Sequence, residues 1–245
     1  MNLKEQGINQ EAVFKGEGKS NAIYLAYGES VVLFSRAVRS NLKSNGKEYV
    51  LADLGSAKGS FLKKLLDVLP EYVFKTIAID VNIDDIKHNT AEQKIISDLS
   101  IIDMPDKSID VTIMRYALAW NTLDKQHKIL SEIKRITRDI AIIQHQGSDE
   151  NYPKKLQNAA EILFSGVVPQ LERINFFFST SKQVEQIMSN LGINFERIQN
   201  RKIEGLSDIF IEKYKLQKDE ADKVYKILKD TNSIVQSAWI LKLKQ

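Results

Sequence analysis

The chain has 245 residues, a formal charge of +3, 43% hydrophobic and 27% charged residues, and few Gly or Pro, which is a folded globular composition rather than a disordered or fibrous one. Its lack of cysteine excludes thiolate zinc sites, iron–sulfur clusters and thiol nucleophiles together. The positive surplus is too small to argue for nucleic acid by itself, so net charge does not declare the partner, and no apolar run approaches the ~20 residues that span a bilayer.

The first residues, Met1-Asn-Leu-Lys-Glu-Gln-Gly, carry no secretory pattern, so a cytoplasmic location is expected. From Ala22 to Leu42 apolar residues recur every three to five positions, predicting one or two amphipathic helices with a break near Gly28. Tyr49 to Leu54 reads as a buried strand, Ser60 to Leu69 as a helix, Val73 to Asp80 as a second strand, and Ile83 to Asn89 as a short helix. Gln93 to Ser97, Ile109 to Met114 and Ile140 to Gln144 are three further strands, with a helix marked by Ile129, Ile133 and Ile136 before the last. Strands alternating with helices imply a parallel sheet, because each same-direction return needs a crossover. After His145 the pattern changes: Asn151 to Phe164 is helical, and Thr180 with Gln183 opens a helix that Gly192 ends. Ile193 to Ile203 and Ile234 to Leu243 are strand-like, with a helix over Lys215 to Leu228 between them. The expected organisation is one domain over residues 1–245, with its last two strands joining the same sheet at an antiparallel edge.

In an open parallel sheet, ligands bind beyond the carboxyl ends of the strands, where the strand order reverses. The first strand leads into Asp53-Leu-Gly55-Ser56-Ala57-Lys-Gly59, a turn that lets a ligand approach the backbone and offers free amides at the following helix. The spacing is neither that of a P-loop nor that of a dinucleotide fingerprint. Asp80 closes the second strand, where a carboxylate can accept both hydroxyls of a ribose. The third strand runs into Asp98-Leu99, then Pro105-Asp-Lys-Ser-Ile-Asp110 and a strand, with Asp98 and Asp110 twelve residues apart.

This run resembles a segment of the class I S-adenosylmethionine-dependent methyltransferases. There an Asp, a Leu-Pro-Phe element and a Pro-Asp-x-Ser-Phe-Asp turn precede a strand. The resemblance covers Tyr49 to Gln146, about two fifths of the chain. It implies a Rossmann-like α/β fold with a mostly parallel seven-stranded sheet, an antiparallel C-terminal edge and a helical lid. Residues 1–47 would then form the N-terminal lid, 48–146 the cofactor-binding core, 147–192 a helical cover and 193–245 the last strands. It also implies S-adenosylmethionine as cofactor, S-adenosylhomocysteine as product, and no bound metal. Asp53, Gly55, Ser56, Ala57 and Gly59 would form the turn around the methionine part, and Asp80 would hold the ribose. Val81 would pack on adenine, Asp98 and Leu99 would meet its amino edge, and Met114 and Arg115 would lie near the methionine moiety. Two departures stand out: Ala57 replaces the middle Gly of the family's Gly-x-Gly-x-Gly turn, and Ile102-Asp103-Met104 replaces Leu-Pro-Phe.

On the acceptor side, His145 follows the fifth strand and has the pKa class of a general base, while Tyr116 and Trp120 could form an aromatic wall. His88 and His127 fall on helix surfaces. Tyr24 and Tyr27 are candidate lid contacts, Phe176 to Phe178 candidate lid packing, and Lys15, Lys19, Arg36, Arg39, Lys43 and Lys47 a solvated basic face. The Asn/Asp-Pro-Pro-aromatic motif of enzymes that methylate DNA base amines is absent, as is an acidic metal-binding pair after the fourth strand. The expectation is methyl transfer to O, N or C of a small metabolite. RNA or protein methylation and a non-catalytic cofactor-binding module are the alternatives; oligomeric state is not specified by the sequence.

Overall fold

The computed structural model describes residues 21–150, 153–166, 177–208, 211, 216–231 and 233–244. Each buried apolar run becomes a strand: β1 (Glu48–Leu54), β2 (Val73–Asp80), β3 (Gln93–Ile96), β4 (Ile109–Arg115), β5 (Thr137–Gly147), β6 (Asn194–Glu204) and β7 (Ser233–Lys242). They form one seven-stranded sheet in the order β3-β2-β1-β4-β5-β7-β6. The first five pair in parallel, and β7 enters antiparallel between β5 and β6. The order reverses between β1 and β4, so the site for a ligand lies at the carboxyl ends of those two strands.

The helices are α1 (Asn21–Asn41), α2 (Ser60–Asp67), α3 (Ile83–Ile86), α4 (Leu123–Ile136), α5 (Pro153–Gly166), α6 (Ser181–Asn190) and α7 (Lys218–Leu228). Alternate strand residues point to opposite faces, which divides the core in two. On one face Leu51, Val111, Ile113, Ile142 and Ile240 pack with Phe34 and Val38 of α1 and Leu62 and Leu65 of α2. On the other, Ala52, Leu54, Met114, Ile143 and Trp239 pack with Ile129 and Ile133 of α4 and Val184 and Met188 of α6. A smaller cluster joins Ala159, Ala160 and Leu163 of α5 to Val224 and Leu228 of α7, and Trp120 and Phe178 lean on it.

Two expectations are corrected. α1 runs unbroken through Gly28, because the burial of Val31, Phe34 and Val38 outweighs the roughly 1 kcal/mol that a helical glycine costs. β5 continues three residues past Gln144, because β7 pairs with it through Gly147. Lys15, Lys19 and Phe176 lie outside the described residues, as do the side chains of Tyr24 and Tyr27.

Candidate active site

A cavity of about 480 Å³ opens at the switch point, lined by Gly55, Ala57, Asp80, Val81, Asp98, Leu99, Arg115, Tyr116, Ala117, Trp120, Asn121, Thr122 and Lys125. The β1–α2 turn forms its floor. Gly55 has φ +69° and Gly59 φ +77°, and a Cβ on Gly55 would stand 2.5 Å from the Cβ of Ala117, so both need glycine. Ala57 between them is also left-handed, at φ +44°, a conformation that costs a side-chain-bearing residue about 1–2 kcal/mol. Neighbours hold it there: the Ala57 amide donates to Asp80 Oδ2 at 2.8 Å, and the buried Asn89 donates from Nδ2 to the Ala57 carbonyl at 3.0 Å. The other carboxylate oxygen of Asp80 accepts from the Asn82 amide at 2.9 Å. Asp80 therefore ties two loops together at the cavity wall.

Asp53 ends β1 beneath the turn and is buried. Burial, reinforced by the Asp80 carboxylate and opposed by Arg115, pushes its carboxyl up to about 8, so it is largely protonated at neutral pH. Its Oδ2 and the nearby Ser56 Oγ are buried without a hydrogen-bond partner. Asp98 is set differently. Burial works to raise its carboxyl, but Lys125 Nζ at 2.6 Å and the Ser100 amide and hydroxyl at 2.9 and 2.7 Å outweigh it and hold it below the usual range.

Across the cavity, Tyr116 adopts φ +64°, rare for an aromatic residue, and its amide donates to the Gln144 carbonyl at 2.8 Å. The Arg115 guanidinium lies 4.2 Å from the centre of the Tyr116 ring and 5.3 Å from that of Phe61. Trp120 ends a 3-10 turn, Leu118–Trp120, so its ring bridges the cavity and the α5–α7 cluster.

Of the residues predicted from sequence, Gly55, Ala57, Asp80, Val81, Asp98, Leu99, Arg115, Tyr116 and Trp120 converge on this cavity. Asp53, Ser56 and Gly59 shape the turn from below. Met114 points the other way, fully buried against α4. His145 is likewise off the cavity: it pairs with Ser237 inside the sheet and is 1% exposed. Its Nε2 lies 3.0 Å from the Ser179 carbonyl and 3.1 Å from the Ser179 hydroxyl. That hydroxyl donates to Gln126 Oε1 at 2.7 Å, so Nε2 carries the proton and donates. The remaining lone pair, on Nδ1, is buried without a partner, and burial lowers the ring to about 4. A side chain sealed in this way is not placed to take a proton from a ligand in the cavity.

Sequence reasoning missed Asn121, Thr122 and Lys125 on the rim, and Asn89 and Gln126 behind it. Thr122 caps α4, accepting from the Lys125 amide at 3.4 Å, and a cap signal directly after a strand that faces the site could have flagged this corner.

Residues 52–143 match the model of a protein family described as a methyltransferase domain. The matched segment makes this chain similar to S-adenosylmethionine-dependent methyltransferases over its cofactor-side core. Solved structures with the same fold include the YcgJ protein from Bacillus subtilis, with a TM-score of 0.66 and 12% identity, covering 89% of this chain and 99% of that one. The cyclopropane synthase MmaA2 from Mycobacterium tuberculosis has a TM-score of 0.62 at 12% identity, covering 94% of this chain and 88% of that one. The geranyl diphosphate C-methyltransferase from Streptomyces coelicolor, solved with Mg2+, geranyl diphosphate and S-adenosylhomocysteine, has a TM-score of 0.58 at 8% identity, covering 96% and 89%. At such identities the likeness is one of fold. No curated protein matches the chain in sequence.

The residues of this site fit S-adenosylmethionine as cofactor. Asp53 Oδ2 and Ser56 Oγ are polar atoms left without partners under a turn that exposes backbone at Gly55, as a site for an amino-acid tail requires. Among the described residues no group of three His, Cys, Asp or Glu side chains could hold a metal ion, and no helix is long and apolar enough to cross a membrane.

Proposed function

We propose that this protein is a cytoplasmic enzyme that transfers the methyl group of S-adenosylmethionine to an oxygen, nitrogen or carbon atom of a small molecule. The observation that supports this reading is a cavity, of a size suited to small ligands, whose lining brings carboxylates together with aromatic side chains. The carboxylates of Asp80 and Asp98 stand at adjacent strand ends, and Tyr116, Trp120 and Asn121 line the same cavity.

Asp80 would accept the ribose hydroxyls while keeping the turn amide. Val81 and Leu99 would pack on the adenine, with Asp98 at its amino edge. The Gly55–Gly59 turn and Arg115 would hold the methionine part, where Asp53 can exchange its proton for an ammonium partner. When bound, the cofactor supplies a sulfonium methyl, an electrophile that needs alignment more than activation. The chain's part is to place the acceptor against the Tyr116–Trp120 wall and to exclude water from the contact. The acceptor atom would supply the electron pair for the new bond, a lone pair on oxygen or nitrogen or the π pair at carbon, as the methyl–sulfur bond breaks; with His145 sealed in the sheet, any proton the product sheds goes to solvent and not to that residue.

Calorimetric titration with S-adenosylmethionine and S-adenosylhomocysteine tests the cofactor half, and a screen of small acceptors with labelled methyl donor tests the other. Micromolar binding of both compounds followed by label transfer is the expected result. Binding without transfer to any acceptor would favour a non-catalytic module, and failure to bind either compound would remove the reading.

A further inference from the structure

A chain of hydrogen bonds behind the acceptor wall sets the direction in which Tyr116 donates. It begins at the surface, where Glu29 of α1 pairs with Arg201 of β6. Arg201 Nε donates to Gln236 Oε1 at 2.7 Å. Gln236, on β7, has no exposed surface. A guanidinium can only donate, so the amide oxygen of Gln236 must face Arg201 and its NH2 must face the other way. On that side is the Tyr116 hydroxyl, which accepts from Gln236 Nε2. A phenol oxygen that has accepted a hydrogen bond still has its own proton to give. No acceptor for that proton is found among the described residues, and Tyr116 lines the cavity.

The backbone supports the same conclusion. Tyr116 is held at φ +64° at the end of β4, and residues kept in such conformations cluster at functional sites. The Arg115 guanidinium over its ring adds positive potential at the same wall. The two carboxylates that line the cavity, Asp80 and Asp98, are engaged by the Ala57 and Asn82 amides and by Lys125.

We propose that Tyr116 is a specificity-determining hydrogen-bond donor, oriented by Gln236 and Arg201, and that the methyl acceptor is a small molecule bearing a carboxylate that receives this bond. Gln236 is a positioning residue, acting through Tyr116 rather than on the substrate. The proposal rests on the methyl-transfer reading above and adds the substrate class to it. The carboxylate is the handle by which the acceptor is held, while the methyl group goes to another atom of the same molecule.

The test is a methylation assay with labelled S-adenosylmethionine on matched pairs: amino acids against the amines that lack the carboxylate, and hydroxy acids against the corresponding alcohols. Turnover should be confined to carboxylate-bearing members. In Tyr116→Phe the KM for such an acceptor should rise about tenfold to a hundredfold, as expected for the loss of one hydrogen bond to a charged oxygen, with S-adenosylhomocysteine affinity within twofold of the parent. Gln236→Glu keeps the shape of the side chain but accepts from both Arg201 and Tyr116, so it reverses the bond and should raise the same KM. In the Tyr116→Phe background, Gln236→Glu should add nothing, an outcome that a general packing defect would not give. Equal turnover of members without the carboxylate, an unchanged acceptor KM in Tyr116→Phe, or additive losses in the double variant would each overturn the assignment. So would S-adenosylhomocysteine binding with no carboxylate member methylated, which leaves the cofactor site standing. Loss of S-adenosylhomocysteine binding in the parent protein would instead sink the methyl-transfer reading itself.

Discussion

Asp80 has both carboxylate oxygens on backbone amides, Ala57 and Asn82, and each oxygen keeps a lone pair for a ligand. Asp80→Ala should therefore weaken S-adenosylmethionine binding by about 1–3 kcal/mol through lost charge-assisted bonds, and calorimetry reads this directly. An unchanged dissociation constant would detach Asp80 from the ribose. His145 gives a different prediction, on stability. Its folded pKa of about 4 lies below the unfolded value of 6.5, so between these limits the unfolded chain binds more protons. The stability that the neutral ring provides is complete above pH 6.5 and is lost as the pH falls toward 4, by an amount on the order of 3 kcal/mol. Urea denaturation of the parent and of His145→Asn across this window should show the parent's advantage shrinking with acidity; parallel curves would contradict the burial argument. The two residues also differ in how far the sequence reveals them. Asp80 closes a short apolar strand and its place is legible from that alone. His145 stands in the corresponding place after β5, but its burial depends on β7 pairing more than ninety residues later, which no local pattern announces.

The β1–α2 turn acts as an element in its own right. Its strand-to-helix geometry requires left-handed backbone at positions 55, 57 and 59, and two of the three carry glycine. Ala57→Gly should relieve the strain, raising stability by up to about 1 kcal/mol in denaturant titrations after allowing for the extra freedom of glycine in the unfolded chain. A loss of stability would mean that the Ala57 methyl makes contacts that outweigh its backbone cost. The Gly-Ser-Ala-Lys-Gly string showed that a turn was needed, while the strap that holds it did not appear in the sequence. Asn89 lies thirty-two residues from Ala57 and reaches it only because β2 brings α3 and the loop after it back over the turn. Strand and helix positions were legible because buried apolar runs and helical spacing are local; their exact ends were not, since pairing partners decide them. Lys125, Gln126 and Gln236 belong to the same class as Asn89, polar residues whose partners are set by the fold.

The whole molecule depends on the order of its sheet. β7 is buried between β5 and β6, and Trp239 near its centre is fully enclosed, packed in the α4–α6 half of the core and donating from Nε1 to Glu185 at 2.8 Å. Trp239→Ala should cost about 3–5 kcal/mol, and a melting temperature close to that of the parent would show that the core can close over the gap. Because β7 also carries Gln236, damage to this strand should reach the acceptor wall as well as the core.

The position of β7 also bears on how the protein is made. During synthesis β1 to β5 can assemble in the order they emerge, but β5 then presents an open hydrogen-bonding edge, eight residues long on the side that β7 will cover. β6 arrives next and has no neighbour in the finished sheet except β7. Until residues 233–242 appear, the nascent chain carries two unpaired strand edges at once, the condition under which intermolecular pairing competes with folding. Completion of the sheet thus waits on β7, and the expressed protein should be most vulnerable to aggregation when translation stalls in the segment between β6 and β7.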